Sequence, residues 1–355
     1  MKLKKLLGKK WISILAIITL SILSILSISF LVWKLIGKFS NIEKFDIPDT
    51  NVNTIVSNWD NVSGFYSELG FKLNHYLYCK KYKINFTTPA INWQYTFDKG
   101  WTDYFEDVKL SYHPDTKETK TLNGCCTILE QFPLEDYINI IPEYYRYNPK
   151  TKSHIDKVKQ DLGLINKRYG AVYIRRGDKL VDEIKIVPSV NFAKMLLEKM
   201  SDCKYIFVQT DDYTCYIDIK NYVENELKNS EIKVLTICPE NVFGAISNKD
   251  WSDKMINGNV TDGNKSYVDD IKKNNKLSKP ISEMSKEEKY AHTMELLSGV
   301  DICLNADVVI CDYKSNVSRF IKLAHPNFDK VFDVNGAKVS KSDKLCPAYD
   351  FNNQQ

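Results

Sequence analysis

At 355 residues the chain has room for two to three domains of about 150 residues each. With 43% hydrophobic and 12% aromatic residues against 14 glycines and 11 prolines, it can bury a core, which excludes a disordered or fibrous protein. The formal charge of +4 traces to Lys2, Lys4, Lys5, Lys9 and Lys10, so the body is close to neutral and lacks the basic footprint of a nucleic-acid binder.

Residues 1–10 read as a cytosolic tail. From Trp11 to Trp33 no residue is charged, and a helix of that length spans about 35 Å, which predicts a transmembrane signal anchor over 11–36. The run is too long for the apolar part of a cleaved signal peptide. The lysines before it keep the amino terminus in the cytosol, which predicts a single-pass type II protein of a Golgi or other secretory-pathway membrane. Residues 37–63 read as a polar stem. Residues 64–165 form a first lobe rich in aromatics, with Trp93, Tyr95, Phe97, Gly100, Trp101 and Phe105 in one block.

From Gly170 the pattern sharpens. Apolar runs at 170–175, 204–209, 232–237 and 307–311 alternate with helical stretches at 192–200, about 216–227 and 287–305. The predicted class is α/β, with a doubly wound, Rossmann-type parallel sheet over 166–330. Residues 240–286 read as an exposed excursion and 331–355 as a carboxy-terminal tail. Five Asn-X-Ser/Thr triplets, at Asn61, Asn85, Asn259, Asn264 and Asn316, are potential glycan sites in a luminal domain. Nine cysteines in an oxidising space predict disulfides with at least one thiol left over. The chain has no C-x-x-C pair and no zinc-helix motif, so no metal site is expected.

Ligands of open parallel sheets sit beyond the carboxyl ends of the strands. Three polar clusters arrive there: Arg175-Arg176-Gly177-Asp178-Lys179, Thr210-Asp211-Asp212 and Asp312-Tyr313-Lys314-Ser315. Adjacent guanidiniums offer forks for phosphate, and a Ser-led helix start offers backbone donors, so a pyrophosphate fits between them. Each cluster also has a plain reading: an adhesion tripeptide at Arg176-Gly177-Asp178, and helix caps at Asp211-Asp212 and Ser315. Neither a dinucleotide glycine motif nor a P-loop occurs.

The segment Val172–Lys179 resembles the arginine motif of the α-1,6-fucosyltransferases. Gly70–Cys79, containing His75, resembles a donor-side segment of that family. The block Trp93 to Phe105, the Thr210-Asp211-Asp212 strand end, and Ala306-Asp307 through Arg319 resemble further motifs, in order over about 70–325. The resemblance implies an inverting, two-lobed GT-B-like transferase that uses GDP-fucose and needs no divalent metal or other cofactor. Arg175 would hold the β-phosphate, supported by Arg176 and Ser315. Glu183 would take the acceptor hydroxyl proton, with Asp178 and Lys179 beside it. Tyr173 stands where the family has a guanine-contacting His, and Gly299 where it has an Asp; Glu295, one turn earlier, is placed to reach the space so vacated, and Asp301 is a weaker candidate. Cys311 matches a family cysteine whose bridging partner is Ser318 here. The implied partners are a nucleotide-sugar donor, a glycan acceptor such as the GlcNAc 6-hydroxyl of an N-glycan, and the membrane. Another nucleotide sugar or acceptor, and a non-catalytic glycan-binding or adhesion protein on the same scaffold, are the alternatives.

Overall fold

The computed structural model describes residues 52–60, 63–89, 93–114, 118–122, 127–181, 185–229, 231–240, 242–257, 264–273, 278–348 and 351. The cytosolic tail, the anchor and Glu183 lie outside the described residues. Among the described residues no helix is long and apolar enough to cross a membrane.

The first lobe begins earlier than the sequence suggests. Residues Thr54–Ser57, assigned above to a stem, form β1, which is largely buried. The helix α1 (Phe65–Tyr82) follows, then β2 (Asn85–Thr87) and β3 (Thr119–Leu122). The three strands make a parallel sheet in the order β2-β1-β3. The polar flanks of TIVS hid the strand, because only four residues carry its period. Lys83, left-handed at φ 58°, ends α1. Two helices, α2 (Leu134–Tyr144) and α3 (Pro149–Asp161), complete this lobe. Asn148 caps α3 by accepting from the Thr151 N–H, and proline takes the first helical position, where no N–H is needed.

The second lobe follows the expected alternation. Strand β4 (Gly170–Ile174) leads to α4 (Ser189–Lys199), β5 (Tyr205–Thr210), α5 (Tyr213–Asn221) and β6 (Lys233–Thr236). The predicted excursion then proves partly folded, since it holds α6 (Lys249–Ile256) and α7 (Lys265–Lys273). Ile246, Met255 and Val268 pack there on Val181 as a small separate core. Its sparse apolar residues were enough for a satellite cluster though not for a readable period. The long helix α8 (Lys286–Leu304) starts with a reciprocal capping box between Ser285 and Glu288. Strand β7 (Val308–Cys311), α9 (Asn316–Ala324) and β8 (Val331–Asp333) finish the lobe.

All five strands of the second sheet are parallel, in the order β6-β5-β4-β7-β8. The chain runs outward from β4 to one edge and then restarts at β7 on its other side, so the topological switch point lies between β4 and β7. Strand β4 is central and buried at every position, as its unbroken apolar run requires. The main core here joins Val172, Ile174, Phe192, Leu196, Ile206 and Val208.

The predicted carboxy-terminal tail is also corrected: β8 is an edge strand of the sheet, and the residues after it return to the first lobe. Leu134 N–H donates to Asp343 O at 2.9 Å, and the buried Arg319 Nε donates to Pro347 O at 3.1 Å. Both lobes belong to one compact unit.

Candidate active site

A cavity of about 330 Å³ opens at the switch point, a volume suited to a small-molecule ligand. Its walls come from both lobes: the first turn of α1 (Gly64 to Ser67) with Tyr95, the loop after β4, and the start of α9. In neither α1 nor α9 does the side chain of the N-cap residue cap the first turn. The Phe65 N–H is instead held by the Tyr95 hydroxyl at 3.1 Å. Ser315 at the head of α9 is buried and turns its hydroxyl to Tyr173. Two helix starts, each carrying the positive end of a dipole, therefore face one cavity.

Arg175 projects into this space between two carboxylates. Its Nη1 pairs with Asp211, while Nη2 donates to Asp178 Oδ1 at 2.6 Å and to Ala245 O at 3.1 Å. Three of its five N–H donors are thereby committed. Asp178 Oδ2 accepts from the Ser247 backbone at 2.8 Å, and Asp211 accepts from the backbones of Arg176 at 2.7 Å and Ala245 at 2.9 Å. The guanidinium is thus fixed before any ligand arrives. Lys179 also lines the cavity.

The two arginines do not act as a pair. Successive residues of an extended strand point to opposite faces, and Arg176 is buried on the far side with Nη2 donating to Val187 O at 2.7 Å. Its expected phosphate role is replaced by a structural one. The aspartates divide in the same way: Asp211 orients Arg175, whereas the buried Asp212 caps α5 through the Thr214 N–H at 2.9 Å and takes no part in the cavity.

His75 is likewise a core residue and not a donor contact. Its Nδ1 meets Ser57 Oγ at 2.7 Å and its Nε2 meets Thr127 O at 2.9 Å. Burial, followed by the nearby Lys72 ammonium, pushes its pKa down to about 3 from 6.5. The unfolded chain takes up a proton below pH 6.5 and the folded one does not, so stability present above that pH is lost on acidification. Between pH 7 and 5 this one group should cost about 2 kcal/mol. Urea titrations of wild type and His75→Gln across that range should show the variant's stability falling less steeply by about this amount; equal slopes would contradict it.

Tyr173 sits in the cavity wall, its hydroxyl pushed up to about 12 chiefly by burial. The space beside Gly299 is not vacant, because a Cβ there would collide with the Gln209 amide. Glu295 instead lines two neighbouring cavities of about 250 and 450 Å³, and desolvation raises its carboxyl to about 7. Asp301 pairs with Lys159 and is structural. Glu183 and its neighbours 182 and 184 lie outside the described residues.

Two further expectations change. The seven described cysteines are all buried free thiols, Cys311 among them. Asn264 is buried, with its carboxamide donating to Leu180 O at 3.0 Å and accepting from Ile186 N at 2.9 Å, which leaves no nitrogen presented for a glycan. Among the described residues no cluster of three or more His, Cys, Asp or Glu is placed to hold a metal.

Three features of the site escaped the sequence reading. Ala245 closes the Arg175 cage with its backbone, which no side-chain pattern announces. The start of α1 enters the site from the other lobe. His292, on α8, lines both the 330 and the 250 Å³ cavities, and burial together with the Arg175 charge lowers its pKa to about 4.

No family model and no curated protein sequence matches the chain. Solved structures similar to it include NodZ α-1,6-fucosyltransferase soaked with GDP-fucose, at 12% identity and TM-score 0.49 over 81% of this chain and 98% of that one. Fucosyltransferase NodZ from Bradyrhizobium follows at 12% identity and TM-score 0.48, covering 82% and 98%. POFUT1 in complex with GDP matches at 12% identity and TM-score 0.34, covering 79% and 73%.

Proposed function

We propose that the protein is a metal-independent glycosyltransferase that moves fucose from GDP-fucose to a glycan hydroxyl, an N-glycan-like GlcNAc 6-hydroxyl being the first candidate acceptor. The observation that carries this reading is the cavity at the switch point, where a pre-positioned guanidinium meets two helix starts from different lobes, neither capped by the side chain of its own N-cap residue. Such a site neutralises a diphosphate as it departs, which is where charge develops in sugar transfer. In the reaction the acceptor oxygen bonds to the anomeric carbon, the bond from that carbon to the β-phosphate oxygen breaks, and GDP leaves with the electron pair. Arg175 and the start of α9 would receive the leaving group, Asp178 and Asp211 would keep Arg175 aligned, and Glu183 would accept the hydroxyl proton. The type II topology and the secretory-pathway location belong to the same proposal and rest on the charge pattern around Trp11–Trp33.

The filled space beside Gly299 favours a second reading, in which another base replaces guanine. Full-length protein in detergent should show a higher melting temperature with GDP than with UDP or CDP, without added metal. It should also transfer labelled fucose to a panel of N-glycan and chitin-type acceptors. Stronger protection by UDP, with no fucose transfer, would overturn the GDP-fucose reading.

A further inference from the structure

The cavity at Arg175 and the 250 Å³ cavity beside it share only five lining residues: Asp211, Ala245, Ile281, His292 and Leu296. These residues form a waist. On one side lie Arg175, Ser315 and the helix starts; on the other lie Thr210, Ser278, Lys279 and Glu295. A nucleoside diphosphate is linear in its chemistry, with phosphates, ribose and base in that order. With its phosphates at Arg175, its ribose falls at the waist.

Most of the waist has no hydrogen-bonding capacity to offer. Ile281 and Leu296 are apolar, the Asp211 carboxylate is occupied by Arg175 and two backbone N–H groups, and the Ala245 backbone is engaged at both N and O. The imidazole of His292 differs, because it has no hydrogen-bond partner among the described residues. Burial and the neighbouring Arg175 hold it neutral, at a pKa of about 4. A neutral imidazole carries one donor and one acceptor, as a sugar hydroxyl does, whereas a phosphate would call for donors alone.

We propose that His292 fixes the nucleotide by hydrogen bonding to a ribose hydroxyl at the waist between the two cavities. This assignment rests on the nucleotide-sugar reading above. It makes His292 a donor-binding residue on α8, acting on the part of the donor that does not react.

Calorimetric titration of the full-length protein with GDP, 2′-deoxy-GDP and 3′-deoxy-GDP tests it. Wild type should bind at least one deoxy analogue about tenfold more weakly than GDP, as expected for one lost hydrogen bond. His292→Phe should bind GDP about tenfold more weakly and no longer distinguish it from the deoxy analogues, and His292→Gln, which keeps a donor and an acceptor, should recover part of the discrimination. Should the phenylalanine variant fail to fold, His292→Ser is read in its place. Wild type that binds GDP without sensing either hydroxyl, or a variant that discriminates as wild type does, overturns the assignment alone. Wild type that binds none of the three nucleotides overturns the GDP reading and the assignment together.

Discussion

Arg175→Lys is expected to lower fucose transfer by about 100-fold or more, on the order of 3 kcal/mol of transition-state stabilisation, while the protein stays folded. A lysine ammonium keeps a cation between Asp178 and Asp211, but it cannot present a planar fork to the diphosphate at the same time. Arg175→Ala is a different experiment. It leaves two nearly buried carboxylates facing each other without a counter-ion, and stability should fall by about 3–5 kcal/mol. Turnover and melting temperature measured on both variants separate the two roles. If Arg175→Lys turns over within a few-fold of wild type, the arginine is a strut between two aspartates and the site has to be assigned elsewhere.

Gly177→Ala should destabilise the protein by about 3 kcal/mol or more and abolish activity with it. Gly177 has φ +63°, and a Cβ there would run into the Ala245 backbone; at Gly244, with φ +83° in the loop after β6, a Cβ would in turn run into the Gly177 backbone. The two glycines pack back to back, which sets the Ala245 carbonyl against Arg175 and Asp178. Nothing flexible can move aside. Gly163→Ala is the control, since Gly163 has φ +67° but open space around its Cα, and should cost only about 1 kcal/mol. Chemical denaturation of the two variants that gave equal losses would remove the close approach as the explanation.

The second lobe was readable because its strands are continuous apolar runs, such as Gly170–Ile174, and its helices have a clear period or caps, as at Ser285. The residues at the strand ends, Arg175, Asp178, Asp211 and Ser315, were readable for the same reason: topology fixes where strands end, and polar residues there need a use. Partner choice was not readable. Arg175 and Arg176 look equivalent in sequence, yet strand alternation sends one to the cavity and the other to Val187. Asp211 and Asp212 look like a pair, yet one aligns a guanidinium and the other caps a helix. His75 resembled a ligand contact because its spacing matched a motif, whereas its neighbours Ser57 and Thr127 come from segments with no visible link to it. His292 carried no signal at all, being a single histidine three residues before Glu295 in a helix without a strong amphipathic period.

The return of the residues after β8 onto the first lobe bears on the order in which the fold can close. Leu134 relies on Asp343, and the buried guanidinium of Arg319 relies on Pro347, some two hundred and some thirty residues apart along the chain respectively. The first lobe leaves the ribosome some two hundred residues before Asp343 is made, so the contact between Leu134 and Asp343 forms only after the second lobe has been synthesised. Closure of the first lobe is therefore a late folding event that depends on residues beyond β8.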